Sequence, residues 1–243
     1  MSGQSALLIG ATGATGKHVL RELLTSPHFT RVGEMGRRIT AKEQLPRGSQ
    51  SKLEQKVINF EKLEDAELQK GKWDVVFITM GTSIKAAGSP QNFEKIDREF
   101  VVNAAKAART NDANQRLIYL SANYSNPDAS ALYLRSKGLT EQALAALGYG
   151  DTIVFRPIFL RNAERAGFRP VEAVLSPITA VLSWLSSSFT VDVRALAKSI
   201  RIAGQLGTSG LPSVASPTKR ALGGNAFTTI SNKGSVLLAR QDL

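Results

Sequence analysis

Three residues near the middle of the chain have types and a spacing suited to acid–base chemistry. Tyr133 and Lys137 are four residues apart, which places both side chains on one face of a helix, about one turn apart. A neighbouring cation favours the ionised form of a phenol, so Lys137 would help Tyr133 to exchange a proton. Ser121, twelve residues before Tyr133, could share a substrate oxygen with it. Tyr-x-x-x-Lys also occurs by chance, and the pair could instead form an exposed helix face with the tyrosine packed on a neighbour.

A glycine-rich turn near the start of the chain could hold a nucleotide. The apolar run Ala6–Ile9 enters a turn in which a glycine recurs every three residues, and a helical pattern follows. Such glycines allow a tight turn, bring bare backbone against a pyrophosphate and pack the helix close to its strand, while the N–H groups of the helix start face an anion. The predicted cofactor-binding residues of this loop are Gly10, Thr12, Gly13, Ala14, Thr15 and Gly16. An ordinary strand-to-helix turn would share the pattern.

Two arginines at the end of the second predicted strand bear on the choice of cofactor. An acidic residue at this place would bind the ribose hydroxyls of NAD(H), whereas arginine pairs with a 2′-phosphate. Gly36 leaves space here, and Arg37 and Arg38 bring positive charge. Glu34 lies inside the strand, so we do not expect it to accept from the ribose. The sequence favours NADPH or NADP over NAD(H), with a solvated basic turn as the alternative.

The elements that would position these residues alternate between strand and helix without hairpin turns. This order predicts an α/β fold with a doubly wound parallel sheet. Ile39–Lys56 is expected to be surface helix and loop, Leu63–Lys70 a short helix, and Ser83–Pro90 a loop before a long helix that contains Phe93 to Ala108. After a helix over Gly16–Ser26, the predicted strands are Thr30–Gly36, Val57–Phe60, Trp73–Met80, Arg116–Leu120 and Ile153–Phe155.

Composition excludes several classes of function. Cysteine is absent and only His18 and His28 could supply imidazole, so neither a disulfide framework nor a metal enzyme is expected. The first residues lead directly into the nucleotide strand, so we expect no signal peptide and no secretion. The formal net charge is +11, which suits an anionic substrate, anionic lipid or solubility. No nucleic acid is expected, because no nucleic-acid-binding motif accompanies the charge.

Taken together, these residues make the chain resemble the short-chain dehydrogenase/reductase (SDR) superfamily. Within it, the chain is similar to the atypical branch that contains the human HIV Tat-interacting-protein homologues and the fungal mitochondrial outer-membrane Fmp proteins. The resemblance runs from Leu7 to about Phe168. Its motifs are Gly10–Gly16, Gly36-Arg37-Arg38, Asn59-Phe60-Glu61-Lys62-Leu63, Met80-Gly81-Thr82, Tyr133-Leu134-Arg135-Ser136-Lys137-Gly138 and Val154-Phe155-Arg156-Pro157.

The resemblance implies roles for individual residues. Tyr133 would donate the proton, Lys137 would hold the nicotinamide ribose and tune Tyr133, and Ser121 would steady the substrate carbonyl. The further cofactor-binding residues that it implies are Met80, Gly81 and Thr82 beneath the ribose, and Pro157, Ile158 and Leu160 beside the carboxamide. Asn59 and Phe60 would flank the adenine ring, although Phe60 could equally pack in the core. Where many superfamily members carry a relay asparagine, this chain has Asp97, and Thr79-Met80-Gly81-Thr82 replaces the usual Asn-Asn-Ala-Gly.

The C-terminal third is less informative. We expect one NAD(P)-binding domain over residues 1–243, with 161–190 and 207–243 as a small C-terminal substrate cap in which Arg161, Arg165 and Arg169 meet an anionic substrate, cofactor phosphates or solvent. Val171–Phe189 is too short and broken to span a bilayer. It could pack on the core or a second subunit, or lie on anionic lipid through Trp184. A helix is predicted over Val193–Leu206, a loop over Ser209–Gly224, and a last strand over Phe227–Ile230 before a terminal helix.

Two functions follow. The first is reduction of a small carbonyl substrate by NADPH through Tyr133 and Lys137. The second is a catalytically weak, NADPH-dependent adaptor that engages a partner or a membrane. The resemblance implies a peripheral location on the cytosolic face of the mitochondrial outer membrane, and without it the expectation is cytoplasmic. The oligomeric state is left open.

Overall fold

The computed structural model describes residues 3–162 and 190–243. Eight strands form one sheet, in the order β3-β2-β1-β4-β5-β6-β10-β9. Every neighbouring pair is parallel except β9 with β10. The strands are β1 Gln4–Ile9, β2 Phe29–Gly36, β3 Leu53–Val57, β4 Val75–Ile78, β5 Arg116–Leu120, β6 Asp151–Arg156, β9 Thr218–Leu222 and β10 Asn225–Ser231. Two further strands, β7 Phe159–Arg161 and β8 Thr190–Asp192, pair with each other.

Helices cover both faces of this sheet. The α-helices are α1 Gly16–Thr25, α2 Ile84–Ala87, α3 Pro90–Glu94, α4 Phe100–Ala108, α5 Leu132–Ala145, α6 Val193–Gly210 and α7 Asn232–Ala239, with a π-helical turn at Lys95–Glu99 between α3 and α4. Alternate strand residues serve opposite faces, because side chains alternate along a strand. Ala6 and Leu8 pack with α1 and α6, whereas Leu7 and Ile9 pack with α4 and α5. The predicted α/β, doubly wound parallel sheet is therefore confirmed.

Most predicted elements are present with bounds shifted by a few residues, and four segments differ in kind or in position. The third strand is Leu53–Val57 rather than Val57–Phe60, so Asn59 and Phe60 follow it and Ile39–Lys56 is not all helix and loop. Leu63–Lys70 forms two 3₁₀ turns, over Leu63–Ala66 and Leu68–Gly71, because the residue between them, Glu67, has φ of +53°. Ser83–Pro90 contains α2, which Ser83 caps. Ser209–Gly224 is not simply a loop, since it includes β9.

The order of the strands creates a place for a ligand. From β1 the chain proceeds outward to β2 and β3, then returns to the other side of β1 to form β4. The loops after β1 and β4 consequently diverge at the carboxyl edge of the sheet, where open α/β folds bind ligands. Thr79, directly after β4, donates its N–H to the carbonyl of Ile9 (2.9 Å) and its hydroxyl to that of Gly10 (3.3 Å), which joins the two loops.

Candidate dinucleotide and substrate site

The glycine loop packs too tightly for side chains at two of its three glycines. Gly10 has φ of +97°, and a Cβ on it would lie 2.5 Å from the Met80 backbone nitrogen. A Cβ on Gly16 would lie 2.0 Å from the Gly10 carbonyl oxygen. Gly13 is exposed, and its N–H donates to that same oxygen (3.0 Å). The loop thus presents bare backbone at the start of α1, which fits the pyrophosphate of a dinucleotide.

The remaining loop residues form the surface and the base of this turn. Thr12 is exposed, Ala14 is half-buried and Thr15 is buried at the N-cap position of α1. The Thr15 side chain makes no capping hydrogen bond to the helix. The structure brings together all six residues predicted for the loop.

Arg37 and Arg38 are both exposed directly after β2. Glu34, three residues earlier in the strand, is fully buried, and its carboxylate accepts from the Thr40 N–H and hydroxyl (both 2.7 Å) and from Gln55 Nε2 (2.7 Å). Glu34 therefore serves the packing of β2 and β3. The charge available to a ligand at this strand end is positive.

Asn59 and Phe60 lie after β3. This strand pairs with β2, which the two arginines follow. Asn59 is exposed, and its side-chain oxygen accepts from the Glu61 N–H (2.9 Å). Phe60 stacks on Phe100 of α4, with ring centroids 5.5 Å apart, and remains half-buried. One face of the Phe60 ring is therefore engaged by the protein.

Lys137 is a buried cation near Tyr133. Its ammonium donates to the Tyr119 hydroxyl (3.0 Å) and pairs with Asp97 Oδ1 (3.1 Å). Burial by itself lowers the pKa of Lys137, but the oxygens of Tyr119, Asp97 and Tyr133 outweigh it and raise that pKa above its ordinary value. Burial also raises the pKa of Tyr119, despite the nearby ammonium. Lys137 is therefore protonated and Tyr119 is neutral at physiological pH.

The π-helical turn and a glycine make room for this pair. Asp97 lies inside the turn Lys95–Glu99, fully buried, and its Oδ1 also accepts from the Thr82 N–H (3.2 Å). A Cβ on Gly81 would lie 3.1 Å from Asp97 Oδ1 and 3.3 Å from Lys137 Nζ. Asp97 Oδ2 has no hydrogen-bond partner among the described residues. The segment Met80–Thr82 thus borders the ion pair of Asp97 and Lys137, in which one carboxylate oxygen lacks a hydrogen-bond partner among the described residues.

Tyr133 lies one turn before Lys137 in α5, as its spacing predicts. Its side chain is 38% exposed, and its ring lies 6.0 Å from that of Phe93 in α3. Within residues 3–162 and 190–243 its hydroxyl makes no hydrogen bond. Tyr133 thus combines a partly exposed side chain with a buried cation nearby.

The hydroxyl of Ser121, predicted to meet a substrate oxygen, is engaged by other side chains of the protein. It is buried at the end of β5, donates its hydroxyl to Glu141 Oε1 (2.5 Å) and lies 3.2 Å from the Ser125 hydroxyl. Arg156 donates from Nε to the same carboxylate (3.1 Å) and forms an ion pair with it. Burial raises the pKa of Glu141, and Arg156 and Ser121 oppose that shift.

Sequence reasoning missed Tyr119, Glu141 and Arg156. Tyr119 precedes Ser121 by two residues and therefore shares its face of β5, and Glu141 follows Lys137 by one helical turn. Those two spacings could have identified Tyr119 and Glu141 from the sequence. Arg156 could not be identified in this way, because it lies in β6 and meets Glu141 of α5 only in the folded protein.

The segment after β6 supplies the last predicted cofactor residues. Pro157 is buried, and its carbonyl accepts from the Asn123 N–H (2.8 Å). The Ile158 N–H donates to Asn232 Oδ1 (3.3 Å), and Leu160 pairs with Val191 in the small sheet. Arg161 ends β7 and is exposed, whereas Arg165, Arg169 and the segment Val171–Phe189 with Trp184 lie outside the described residues.

The fold and the glycine loop together define an NAD(P)-binding Rossmann protein of the SDR type. A family model described as NAD(P)H-binding matches residues 10–179. The chain belongs to this NAD(P)H-binding family.

Comparison with curated proteins identifies similar chains. Protein HTATIP2 of Rattus norvegicus is 32% identical over 196 residues, covering 79% of this chain and 78% of the relative. The mitochondrial protein fmp52-1 of Aspergillus terreus is 31% identical over 237 residues, covering 91% and 96%.

Solved structures share the fold at low identity. The Bordetella bronchiseptica enzyme WbmF, in complex with NAD⁺, has a TM-score of 0.61 at 14% identity, covering 86% of this chain and 72% of its own. The PhqB reductase domain of Penicillium fellutanum has a TM-score of 0.60 at 19% identity, covering 86% and 65%.

Proposed function

We propose that the protein reduces a carbonyl compound with NADPH, and that Tyr133 is the proton donor. The observation that carries this proposal is the buried Lys137 ammonium, held by Asp97 and Tyr119, one helical turn from the partly exposed Tyr133. Both residues lie in α5, which follows the carboxyl end of β5. The glycine loop follows the carboxyl end of β1, a strand of the same sheet. A protonated lysine here stabilises the phenolate that forms when Tyr133 gives up its proton.

Each residue then has a definite task. When bound, NADPH supplies a hydride to the carbonyl carbon. Tyr133 donates its proton to the carbonyl oxygen, so the product is an alcohol, and Lys137 neutralises the remaining phenolate. Ser121 would steady the carbonyl oxygen only by exchanging its Glu141 partner for the substrate. Asp97 fixes Lys137, and its unpartnered Oδ2 would accept from a hydroxyl brought by the ligand.

The same proposal assigns the cofactor contacts. The loop residues Gly10, Thr12, Gly13, Ala14, Thr15 and Gly16 would hold the pyrophosphate. Arg37 and Arg38 would hold the 2′-phosphate, which favours NADPH over NADH. Phe60 and Asn59 would flank the adenine. Met80, Gly81, Thr82 and Lys137 would line the ribose, and Pro157, Ile158 and Leu160 the carboxamide.

Tyr133→Phe tests the acid–base role directly. General acid–base catalysis contributes roughly 10²- to 10⁴-fold to a rate, so we expect NADPH oxidation across a panel of carbonyl compounds to fall at least about a hundredfold. NADPH affinity, measured by calorimetry, should stay unchanged because the aromatic ring remains. Undiminished oxidation in the variant would exclude Tyr133 as the proton donor.

A second candidate is an NADPH-dependent adaptor without turnover. The observation that favours it is the engagement of Ser121 with buried Glu141, which occupies the hydroxyl that would otherwise meet a carbonyl. Tight NADPH binding by the wild-type protein, with no oxidation by any carbonyl compound in the panel, would support the adaptor and overturn the reductase.

For location, we propose peripheral attachment to the cytosolic face of the mitochondrial outer membrane through anionic lipid. The fungal relatives carry the word mitochondrial in their names, and the formal net charge of +11 favours an anionic surface. None of the helices that the structure describes is long and apolar enough to span a bilayer.

A further inference from the structure

We propose that the carbonyl compound reduced beside Tyr133 carries a planar apolar ring, as an aromatic ketone does. Three aromatic side chains, Tyr124, Tyr133 and Phe159, would receive that ring at the carboxyl edge of the sheet. This inference rests on the proposed function and names its substrate class.

These side chains are exposed where most large apolar groups are buried. Tyr124 is 70%, Phe159 45% and Tyr133 38% exposed. Only eight large hydrophobic residues in the described ranges are exposed, and three of them lie in segments that follow β5 or β6. Single exposed apolar residues are ordinary, but three exposed aromatic side chains on segments at the same edge of the sheet point to a binding surface.

Backbone hydrogen bonds hold the three segments together. The Asn123 N–H donates to the Pro157 carbonyl (2.8 Å), and the Asn126 N–H donates to the Leu134 carbonyl (3.2 Å). Tyr124 lies between these two asparagines. Phe159 follows Pro157 by two residues, and Tyr133 precedes Leu134. The loop that carries Tyr124 is thereby fixed to the segments that carry the other two rings.

Tyr124 has an unfavourable backbone conformation for its residue type. Its φ is +60°, in the left-handed region where bulky residues are uncommon. Neither burial nor a hydrogen bond among the described residues stabilises its side chain there. Strained positions of this kind concentrate at ligand sites, where the surroundings hold them.

The chemistry of these side chains favours one occupant over another. Aromatic rings stack on planar apolar rings by their faces or edges, and gain more than burial alone provides. Arg161, exposed two residues after Phe159, would favour an anionic carbonyl compound instead. A planar ring and a small anion are therefore the two occupants that the experiment must separate.

Binding is measured with Tyr133→Phe protein loaded with NADP⁺, which keeps all three rings. We expect acetophenone to bind more tightly than cyclohexyl methyl ketone, a non-planar ring of similar size, and more tightly than pyruvate, as observed by saturation-transfer NMR. Adding Tyr124→Asn should weaken acetophenone roughly two- to tenfold. Asparagine tolerates positive φ, so this variant removes the ring without adding strain. Val214→Ser, at an exposed apolar residue in a 3₁₀ turn near the C-terminal end, should leave binding unchanged.

The outcomes separate this inference from the function on which it rests. Equal or stronger binding of pyruvate, or no effect of Tyr124→Asn, would overturn the ring preference even if the wild-type protein oxidises NADPH with pyruvate. Selective, Tyr124-dependent binding of acetophenone without any NADPH oxidation would support the ring site and overturn the reductase.

Discussion

The buried charges of α5 define the site at the scale of single residues. Lys137 and Glu141 are one turn apart, and each is paired with an opposite charge from another element, Asp97 and Arg156 respectively. Removing one partner of a buried ion pair leaves an uncompensated charge, which is costly. The hydroxyl of Tyr133, which we propose as the proton donor, therefore lies on a helix whose buried face is held by these ion pairs.

The exposed arginines after β2 lead to a prediction about the cofactor. A hydrogen bond to a charged group contributes about 1.5–3 kcal/mol, so Arg37→Ala and Arg38→Ala should each weaken NADPH binding roughly ten- to hundredfold. NADH lacks the 2′-phosphate, and its affinity should change little. Calorimetry with both nucleotides tests this.

A matched control is Arg240→Ala, because Arg240 is exposed at the end of α7. It should alter neither affinity. Equal losses for NADPH and NADH in the Arg37 and Arg38 variants would contradict the phosphate contact.

Sequence patterns found the residues but not all of their partners. Tyr133 and Lys137 were predicted from spacing within one helix, and the structure places them one turn apart. The hydrogen bond of Ser121 to Glu141 could not be predicted, because Glu141 and its own partner Arg156 come together only once α5 and β6 have packed. Local spacing reports contacts within an element, whereas contacts between elements depend on the register of the fold.

At the scale of elements, burial decided which strands the sequence could reveal. The predicted strands that correspond to β1, β2, β4, β5, β6 and β10 contain apolar runs that the sheet buries. β3 and β9 lie at the two edges of the sheet and have mostly exposed residues. Their polar composition resembles that of a loop, so the first was displaced and the second was missed.

The glycine loop before α1 leads to a prediction that separates binding from folding. A Cβ on Gly13 would have one close neighbour, the Gly10 carbonyl oxygen at 3.2 Å, on an otherwise exposed residue. Gly13→Ala should therefore keep the wild-type melting temperature within a few degrees, yet weaken NADPH and NADH alike, because its methyl group blocks the approach of the pyrophosphate.

Gly16→Ala provides the contrast. Its Cβ would collide with the Gly10 carbonyl carbon and oxygen, so α1 must move away from β1, and the expected loss of stability exceeds about 1 kcal/mol. Thermal unfolding and calorimetry report the two effects separately. An unchanged NADPH affinity in a folded Gly13→Ala protein would exclude backbone contact at this glycine.

At the scale of the whole molecule, the excess of positive charge bears on the proposed location. From Arg156 onward the chain has 11 basic and 4 acidic residues. Basic residues near an anionic bilayer contribute about 1 kcal/mol each, and the attraction decays within a Debye length. A peripheral protein held in this way should detach when salt is added.

Flotation with vesicles tests that expectation. The protein should float with cardiolipin-containing vesicles and not with neutral ones, and raising the salt concentration should release it. Trp184→Ala should reduce flotation if this tryptophan enters the headgroup layer. Absence of flotation with either kind of vesicle would contradict peripheral attachment through lipid charge.

The antiparallel strand β9 has a consequence for the behaviour of concentrated samples. An outermost strand leaves a row of peptide groups that can recruit another chain and begin aggregation. β9 carries the exposed residues Lys219 and Arg220. When two molecules meet, the positive charges on their β9 strands therefore repel each other. High ionic strength screens this repulsion, and the protein should consequently remain monodisperse longer in dilute buffer than in concentrated salt.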